Sequence, residues 1–96
     1  MEVIFHPLVR AEVLEALRYY TNVSARLADE FHDELRKIIN RAVENPERFH
    51  LVEHGFRRAN LLRFPYHVIY EVRPNLLRVM VVRHNKRHPD YGMDRS

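Results

Sequence analysis

The stretch that decides the fold is RFPYHVIYEVRPNLLRVMVVRHNKRHPDY, which runs from Arg63 to Tyr91. It is rich in β-branched and aromatic residues and alternates between apolar and polar positions, a pattern typical of β-strands. Strands are predicted over residues 64–72 and 76–84, with a Pro-Asn turn between them. The second strand runs directly into a group of Arg, His, Lys and Tyr side chains. The sequence therefore predicts a rigid cationic and aromatic surface that can bind a phosphate-bearing target.

The side chains of these two strands are expected to alternate between the faces of a sheet. In the first strand, Val68 and Tyr70 lie on the face that should pack under helices. His67 and Ile69 lie on the other face, which is expected to point outward. The second strand is apolar on both faces, which indicates a central strand or one that a partner partly covers. One of its faces is expected to hold Leu77, Val79 and Val81, and the other Met80 and Val82.

Before residue 50 the apolar positions recur with the period of helices. The first helix is predicted over residues 8–20, because Thr21-Asn22 should break it. The second is predicted over residues 24–44, with Ser24 as its N-terminal cap. Asn45-Pro46 should end it, because the residue before a proline is disfavoured in a helix.

Two further strands are predicted near residues 2–6 and 56–62. The order β-α-α-β-β-β predicts an α+β fold, in which an N-terminal strand and an antiparallel two-helix hairpin pack on a four-stranded, mainly antiparallel sheet. We expect a single domain over residues 1–96, with residues 91–96 as a loose tail. One core should contain Phe31, Leu35, Ile38, Val68, Tyr70 and Val81.

Composition limits the function classes. The hydrophobic share of 46% is that of a folded globular chain, and the absence of cysteine excludes disulfides and thiolate metal sites. No apolar run is long enough for a membrane span, so we expect a cytoplasmic protein without a membrane partner. Residues 1–50 carry a net charge of −2, whereas residues 51–96 carry +5. This asymmetry predicts that the C-terminal half binds a polyanion or an acidic protein.

The candidate target-binding residues follow the last strand. They are Arg83, His84, Lys86, Arg87, His88 and Tyr91. Tyr91 can stack on a base or anchor the tail, and the two histidines can contact phosphate or form an exposed basic end. Asp90 is the only acid nearby, so no metal site is predicted, and the lack of a Gly-rich phosphate loop leaves no predicted cofactor.

Several features together resemble a known family. They are the element order, Tyr20 at the end of the first helix, Asn45-Pro46 at the end of the second, FPYHVIYEV at residues 64–72 and RHNKRHPDY at residues 83–91. This combination resembles the RelE/ParE superfamily of bacterial toxins. The resemblance implies a growth inhibitor encoded beside an antitoxin that wraps and neutralises it. RelE-like members cut messenger RNA in the ribosome, and ParE-like members poison DNA gyrase.

The resemblance also implies a set of cleavage positions for RelE-like members. On this sequence they fall on Arg58 and Asn60 in the second strand of the series, on His67 in the third, and on Asn85 with nearby Arg87 and Tyr91 after the fourth. Arg58 and Tyr91 keep the expected chemical type. Asn60, His67 and Asn85 do not, and in-line RNA cleavage needs an acid, a base and a group that stabilises the phosphate charge.

The sequence is therefore interpreted as the toxin of a type II toxin–antitoxin pair, closer to the ParE-like gyrase poisons than to the nucleases, and whether it is catalytically active stays open. One alternative is a ribosome-dependent endoribonuclease with Arg58, His67, Arg87 and Tyr91 as catalytic residues. A third is a non-toxic relic that only binds its antitoxin. The target, the identity of the antitoxin and the presence of a homodimer stay open.

Overall fold

The computed structural model describes residues 1–96 as two helices on one five-stranded sheet. In chain order the elements are β1 (Glu2–Phe5), α1 (Val9–Val23), α2 (Ala25–Glu44), β2 (His50–Leu51), β3 (Arg57–Asn60), β4 (Tyr66–Arg73) and β5 (Leu76–His84). A short 3-10 turn, Glu53–Gly55, precedes β3. The predicted α+β class and its β-α-α start are confirmed.

The sheet has the strand order β1-β5-β4-β3-β2. Strand β1 is parallel to β5 and the other neighbouring pairs are antiparallel, so the sheet is mainly antiparallel, as predicted. The predicted number of four strands is wrong by one, because β2 has two residues and is too short to show a period. Strand β3 ends before the predicted position 62 and β4 begins after the predicted position 64, since Pro65 lacks the N–H that a ladder needs.

The helices begin and end through local backbone chemistry. The Ser24 hydroxyl accepts a hydrogen bond from the Leu27 N–H at 3.0 Å, which confirms the predicted N-terminal cap of α2. Helix α2 ends at Glu44, directly before Asn45-Pro46, also as predicted. The predicted break at Thr21-Asn22 is wrong. Helix α1 continues to Val23, because a single extended residue, Ser24, is enough to turn the chain into α2.

The main core lies between the helices and the sheet. Phe31 is fully buried and contacts the rings of Tyr20, Phe64 and Tyr66 at centroid distances of 5.1–5.3 Å. At the other end of the core, the Tyr70 hydroxyl donates to the Pro46 carbonyl at 2.6 Å, and burial raises the pKa of Tyr70 to about 12. Five of the six predicted core residues share this core, namely Phe31, Leu35, Ile38, Val68 and Tyr70.

A β-bulge removes the sixth predicted residue, Val81, from the main core. Ile69 pairs with Val81 and Tyr70 pairs with Val79, so Met80 has no cross-strand partner. The alternation of β5 therefore shifts at this point. Val79 faces the helices, Met80 and Val81 face away from them, and Val82 returns to the main core. The predicted faces of β5 are wrong for Val81 and Val82 because of this extra residue.

The second face of the sheet is covered by the C-terminal segment, so the prediction of a loose tail is wrong. Met93 packs on this face against Phe56, Ile69, Met80 and Val81. Arg95 pairs with Glu12 of α1, and both side chains are less than a tenth exposed. His67 and Ile69, predicted to point outward, lie on this face but are 1% and 0% exposed. Helix α1 and strand β5 thus hold a tail that contains no regular secondary structure.

Candidate target-binding site

Four of the six predicted target-binding residues, Lys86, Arg87, His88 and Tyr91, lie on a loop at the end of β5, and the other two lie within that strand. We call the segment Asn85–Tyr91 the cationic loop. Lys86, Arg87 and His88 are exposed on it. The Arg87 N–H donates to the His84 carbonyl and the Tyr91 N–H to the His88 carbonyl, both at 2.9 Å. These turns hold the backbone while its cations project into solvent.

The two histidines of this region shape the turns. His84 Nδ1 accepts a hydrogen bond from the Lys86 N–H at 3.0 Å, and His88 Nδ1 accepts one from the Asp90 N–H at 3.1 Å. A ring nitrogen that accepts carries no hydrogen, so in this arrangement the ring hydrogen of each histidine lies on Nε2. Each histidine therefore presents a donor to a target, in addition to the charges of Lys86 and Arg87.

A buried polar network lies directly beneath the cationic loop. Arg83 Nε donates to His67 Nε2 at 2.8 Å, and His67 Nδ1 bonds Asn85 Oδ1 at 2.8 Å. Arg83 Nη1 also donates to the carbonyls of Pro89 at 2.9 Å and Tyr91 at 2.7 Å. His67 is 1% exposed and Arg83 is 7% exposed. Neither side chain is placed to meet a bound partner directly.

The hydrogen bonds define the state of His67. A guanidinium only donates, so His67 Nε2 must accept and the hydrogen lies on Nδ1. Burial lowers the pKa of His67 to about 4, opposed by the bond to Asn85 and assisted by the charges of Arg58, Arg83 and His84. Burial also lowers the pKa of Arg83, and the nearby Arg58 acts in the same direction. His67 is thus a neutral acceptor at pH 7 and not a proton donor.

Tyr91 closes the cationic loop and is in contact with two guanidinium groups. The Cζ atom of Arg87 lies 4.0 Å from the ring centroid, and that of Arg95 lies 5.3 Å from it. Such cation–π contacts hold the ring between the loop and the tail. The arrangement favours the anchoring interpretation of Tyr91 over base stacking, because its ring is already engaged within the chain.

Arg58 lies on the same face of the sheet as the network. It pairs across the strands with Ile69 of the second face, and its Nε donates to Asn60 Oδ1 at 2.8 Å. Its neighbour Arg57 points the opposite way and donates to the carbonyls of Glu47 and Phe49. Arg58 is half-buried. It is therefore the only one of this pair of arginines on the side of the candidate site.

The structure separates the predicted site residues into two groups. His67 and Arg83 are brought together in the buried network, and Arg87 and Tyr91 are in contact in the loop. Sequence reasoning missed the anchors of the tail, Glu12 and Arg95. Nothing in the local pattern marks either residue, since they are 83 positions apart. Met93 did carry a signal, being an apolar residue in an otherwise polar tail.

No three or more His, Asp or Glu side chains lie close enough together to hold a metal ion. Neither helix combines the length and the apolar character that crossing a membrane requires.

Comparisons with known proteins identify the fold and the family. Residues 3–89 match the family model described as the ParE toxin of the type II toxin–antitoxin system, parDE. A solved chain titled "Chromosomal ParDE TA system from P. aeruginosa" is similar in fold, with a TM-score of 0.76 and 15% sequence identity over 88% of this chain and 95% of that chain. No curated protein matches significantly. Because the family model extends from β1 into the cationic loop, the protein belongs to the ParE toxin family of type II toxin–antitoxin systems.

Proposed function

We propose that this toxin inhibits growth by binding DNA gyrase through the cationic loop, and that it does not cleave RNA. The observation that carries the proposal is the position of His67. The cleavage pattern of the RelE-like relatives expects a cationic group here, but His67 is buried and bonded to Arg83 and Asn85. Gyrase is a cytoplasmic enzyme that acts on DNA, so the proposal includes action in the cytoplasm.

The chemistry of cleavage also argues against a nuclease. Cutting RNA at a phosphate requires a proton acceptor, a proton donor and stabilisation of the developing negative charge. Both ring nitrogens of His67 are engaged, and its pKa of about 4 leaves it uncharged at neutral pH. Of the cleavage set, Arg58 and Arg87 keep their charges, but His67 is lost as a proton donor.

The cationic loop has the properties that a binding surface for such a target needs. Lys86, Arg87 and His88 are exposed on it, in the half of the chain that carries the net charge of +5. Exposed cations on one side of a molecule raise the rate at which a negatively charged partner is captured. The loop is also held in one conformation by hydrogen bonds, so binding costs little ordering.

A cognate antitoxin is the partner of a toxin of this family, and the structure offers a groove for it. The groove has a volume of about 330 Å³ and lies between β1 and the two helices. It is lined mainly by Val3, Phe5, Val13, Leu35 and Ile39, with Arg36 also in its lining. We propose that an amphipathic antitoxin segment with an acidic residue occupies this antitoxin groove. A second copy of the chain is the competing occupant, and the mass of the free toxin in solution distinguishes the two.

The activity is tested directly with purified toxin and two targets. One assay follows supercoiling of plasmid DNA by gyrase, and the other follows cleavage of messenger RNA on ribosomes. We expect inhibition of gyrase without RNA cleavage. Cleavage of ribosome-bound message would refute the proposal in favour of the endoribonuclease. Inactivity in both assays, together with antitoxin binding and no growth arrest, would indicate the non-toxic relic.

A pair of matched variants tests the role of the loop. Lys86→Ala/Arg87→Ala removes two adjacent exposed cations from the cationic loop, and Arg36→Ala/Lys37→Ala removes the same two residue types from the surface of α2. We expect the first variant to weaken gyrase inhibition by about tenfold or more and the second to leave it unchanged. Equal effects of the two variants would show that net charge, and not the loop, determines binding. Substitution of His67 does not separate the two targets, because it would disturb Arg83 in either case.

A further inference from the structure

The buried network has no role in the proposed binding, although Arg83 was expected to contact the target. Arg83 is 7% exposed and makes no hydrogen bond to a carboxylate; its partners are one ring nitrogen and two backbone carbonyls. A buried guanidinium with neutral partners costs free energy of desolvation, which such hydrogen bonds must offset. We therefore expect the buried guanidinium to hold a part of the chain in place.

What Arg83 holds is the far end of the cationic loop. Its Nη1 bonds the carbonyls of Pro89 and Tyr91, which lie three and one residues before Gly92. The near end is held by β4 and the residue before it, because the Asn85 side chain bonds His67 and the Asn85 N–H donates to the Pro65 carbonyl at 2.8 Å. Both ends of the loop are thus fastened to the sheet, while the cations between them face solvent.

His67 supplies the acceptor that completes this arrangement. It orients the guanidinium of Arg83 through Nε2 and joins it to Asn85 through Nδ1. An arginine at position 67 would place a second buried guanidinium in contact with that of Arg83. Neither group can accept a hydrogen bond, so Arg83 would lose its acceptor. Arg83 therefore needs a neutral acceptor at position 67 to hold the far end of the cationic loop, and we call this function of Arg83 the clamp.

We propose that Arg83, oriented by His67, is a positioning residue that holds the cationic loop in its binding conformation without contacting the target. This inference rests on the proposed function only in that the loop is the binding surface. The loss of the clamp should increase the motion of the loop and reduce toxicity, while the rest of the fold persists.

The test combines hydrogen exchange of the full chain with growth arrest on induction. The reporters are the amides of Lys86, Arg87, Asp90 and Tyr91, which are hydrogen-bonded within the turns. In Arg83→Met we expect these amides to exchange about tenfold to a hundredfold faster than in wild type, the range expected for the loss of a hydrogen bond to a charged group. The amides of β5 should keep their protection, and growth arrest should be lost.

Substitutions at His67 separate positioning from packing. His67→Leu removes the acceptor and should resemble Arg83→Met in both measurements. His67→Gln keeps an acceptor and a donor, so this variant should keep loop protection and growth arrest near wild-type levels. A glutamine that behaves like leucine would overturn the proposal, because packing and not the hydrogen bond would then be what matters.

Arg57→Met is the matched control. Arg57 also fastens a connection by bonding two backbone carbonyls, but on the opposite face of the sheet. It should lower stability without loosening the loop or abolishing growth arrest. If Arg83→Met does not fold, the pair His67→Leu and His67→Gln tests the same bond to Arg83. Equal exchange of the loop amides in His67→Leu and wild type would then overturn the proposal.

The remaining outcomes are also decisive. Lost growth arrest with wild-type loop exchange in Arg83→Met would show that Arg83 contacts the target itself. A looser loop with full toxicity would show that loop order is irrelevant to function. A wild-type toxin that arrests growth without inhibiting gyrase would refute the proposed target alone, because exchange and growth arrest still measure the clamp.

Discussion

Replacing Arg95 with Met removes the cation from an ion pair that joins the C-terminal tail to α1. Arg95 Nη1 lies 3.1 Å from Glu12 Oε1 and 2.8 Å from the Met80 carbonyl, and Nη2 lies 2.5 Å from Glu12 Oε2. The side chains of Arg95 and Glu12 are 7% and 9% exposed. Burial opposes the charge of Arg95, but the hydrogen bonds and charge of Glu12 outweigh it and raise the pKa of Arg95.

The expected cost follows from what the substitution leaves behind. Glu12 would keep its bond from the Val82 N–H at 3.0 Å but would lose its counter-charge in a site with little access to water. Breaking a buried pair from one side costs about 3–5 kcal/mol. A domain of this size has a free energy of unfolding of about 5–15 kcal/mol, so the variant should lose a large part of its stability.

Urea unfolding followed by circular dichroism measures this loss, and two further variants interpret it. Arg26→Met removes a cation from the exposed Arg26–Glu30 pair and should leave the unfolding curve unchanged. Arg95→Met/Glu12→Gln removes both charges and should recover part of the loss. A loss below about 1 kcal/mol in Arg95→Met is the range of exposed ion pairs and would refute the anchored tail.

Four further predictions concern the core, the tail, the network and the antitoxin. Phe31→Ala should lower the free energy of unfolding by about 3–5 kcal/mol, because its ring is fully buried; an unchanged thermal midpoint would contradict the packing. Gly92→Ala should lower the thermal midpoint, since Gly92 has φ +78° and an added Cβ would lie 2.6 Å from a Val81 methyl carbon; a midpoint equal to wild type would show that the tail can shift. The folded-state pKa of His67 is lowered from 6.5 to about 4, so the unfolded chain binds the proton more readily than the folded chain. The free energy of unfolding should therefore fall by about 3 kcal/mol as pH drops from 6.5 to 4. Urea unfolding at several pH values checks this, and His67→Gln should show a smaller pH dependence in that window. Antitoxin affinity, measured by calorimetry, should fall as salt rises, because charges beyond a Debye length of about 8 Å are screened at physiological ionic strength; salt-independent binding would indicate a purely apolar interface.

The elements of this fold could be predicted because their signals are local. The amphipathic period of α2, its Ser24 cap and the Asn45-Pro46 stop each involve residues within a few positions of one another. The alternation in β4 correctly placed Val68 and Tyr70 in the main core. The position of the cationic loop at the end of β5 also follows from chain order alone.

Other features depend on partners that are distant in sequence. The bulge opposite Ile69 and Tyr70 is a property of two paired strands, so the sequence of β5 alone could not show which way Val81 and Val82 face. Strand β2 exists only through its pairing with β3. The family resemblance does not reveal either feature.

The sequence by itself determined the α+β class, the family and the cationic character of the loop, because composition, periodicity and motif order are carried by neighbouring residues. Only the tertiary structure decided that Arg83 and His67 lie beneath that loop and not on its surface. Alternation identified the face of His67 but not what covers it. That cover is the C-terminal segment, held by Met93 in the second core and by the contact of Arg95 with a helix 83 residues away, and no local pattern encodes a contact of that range.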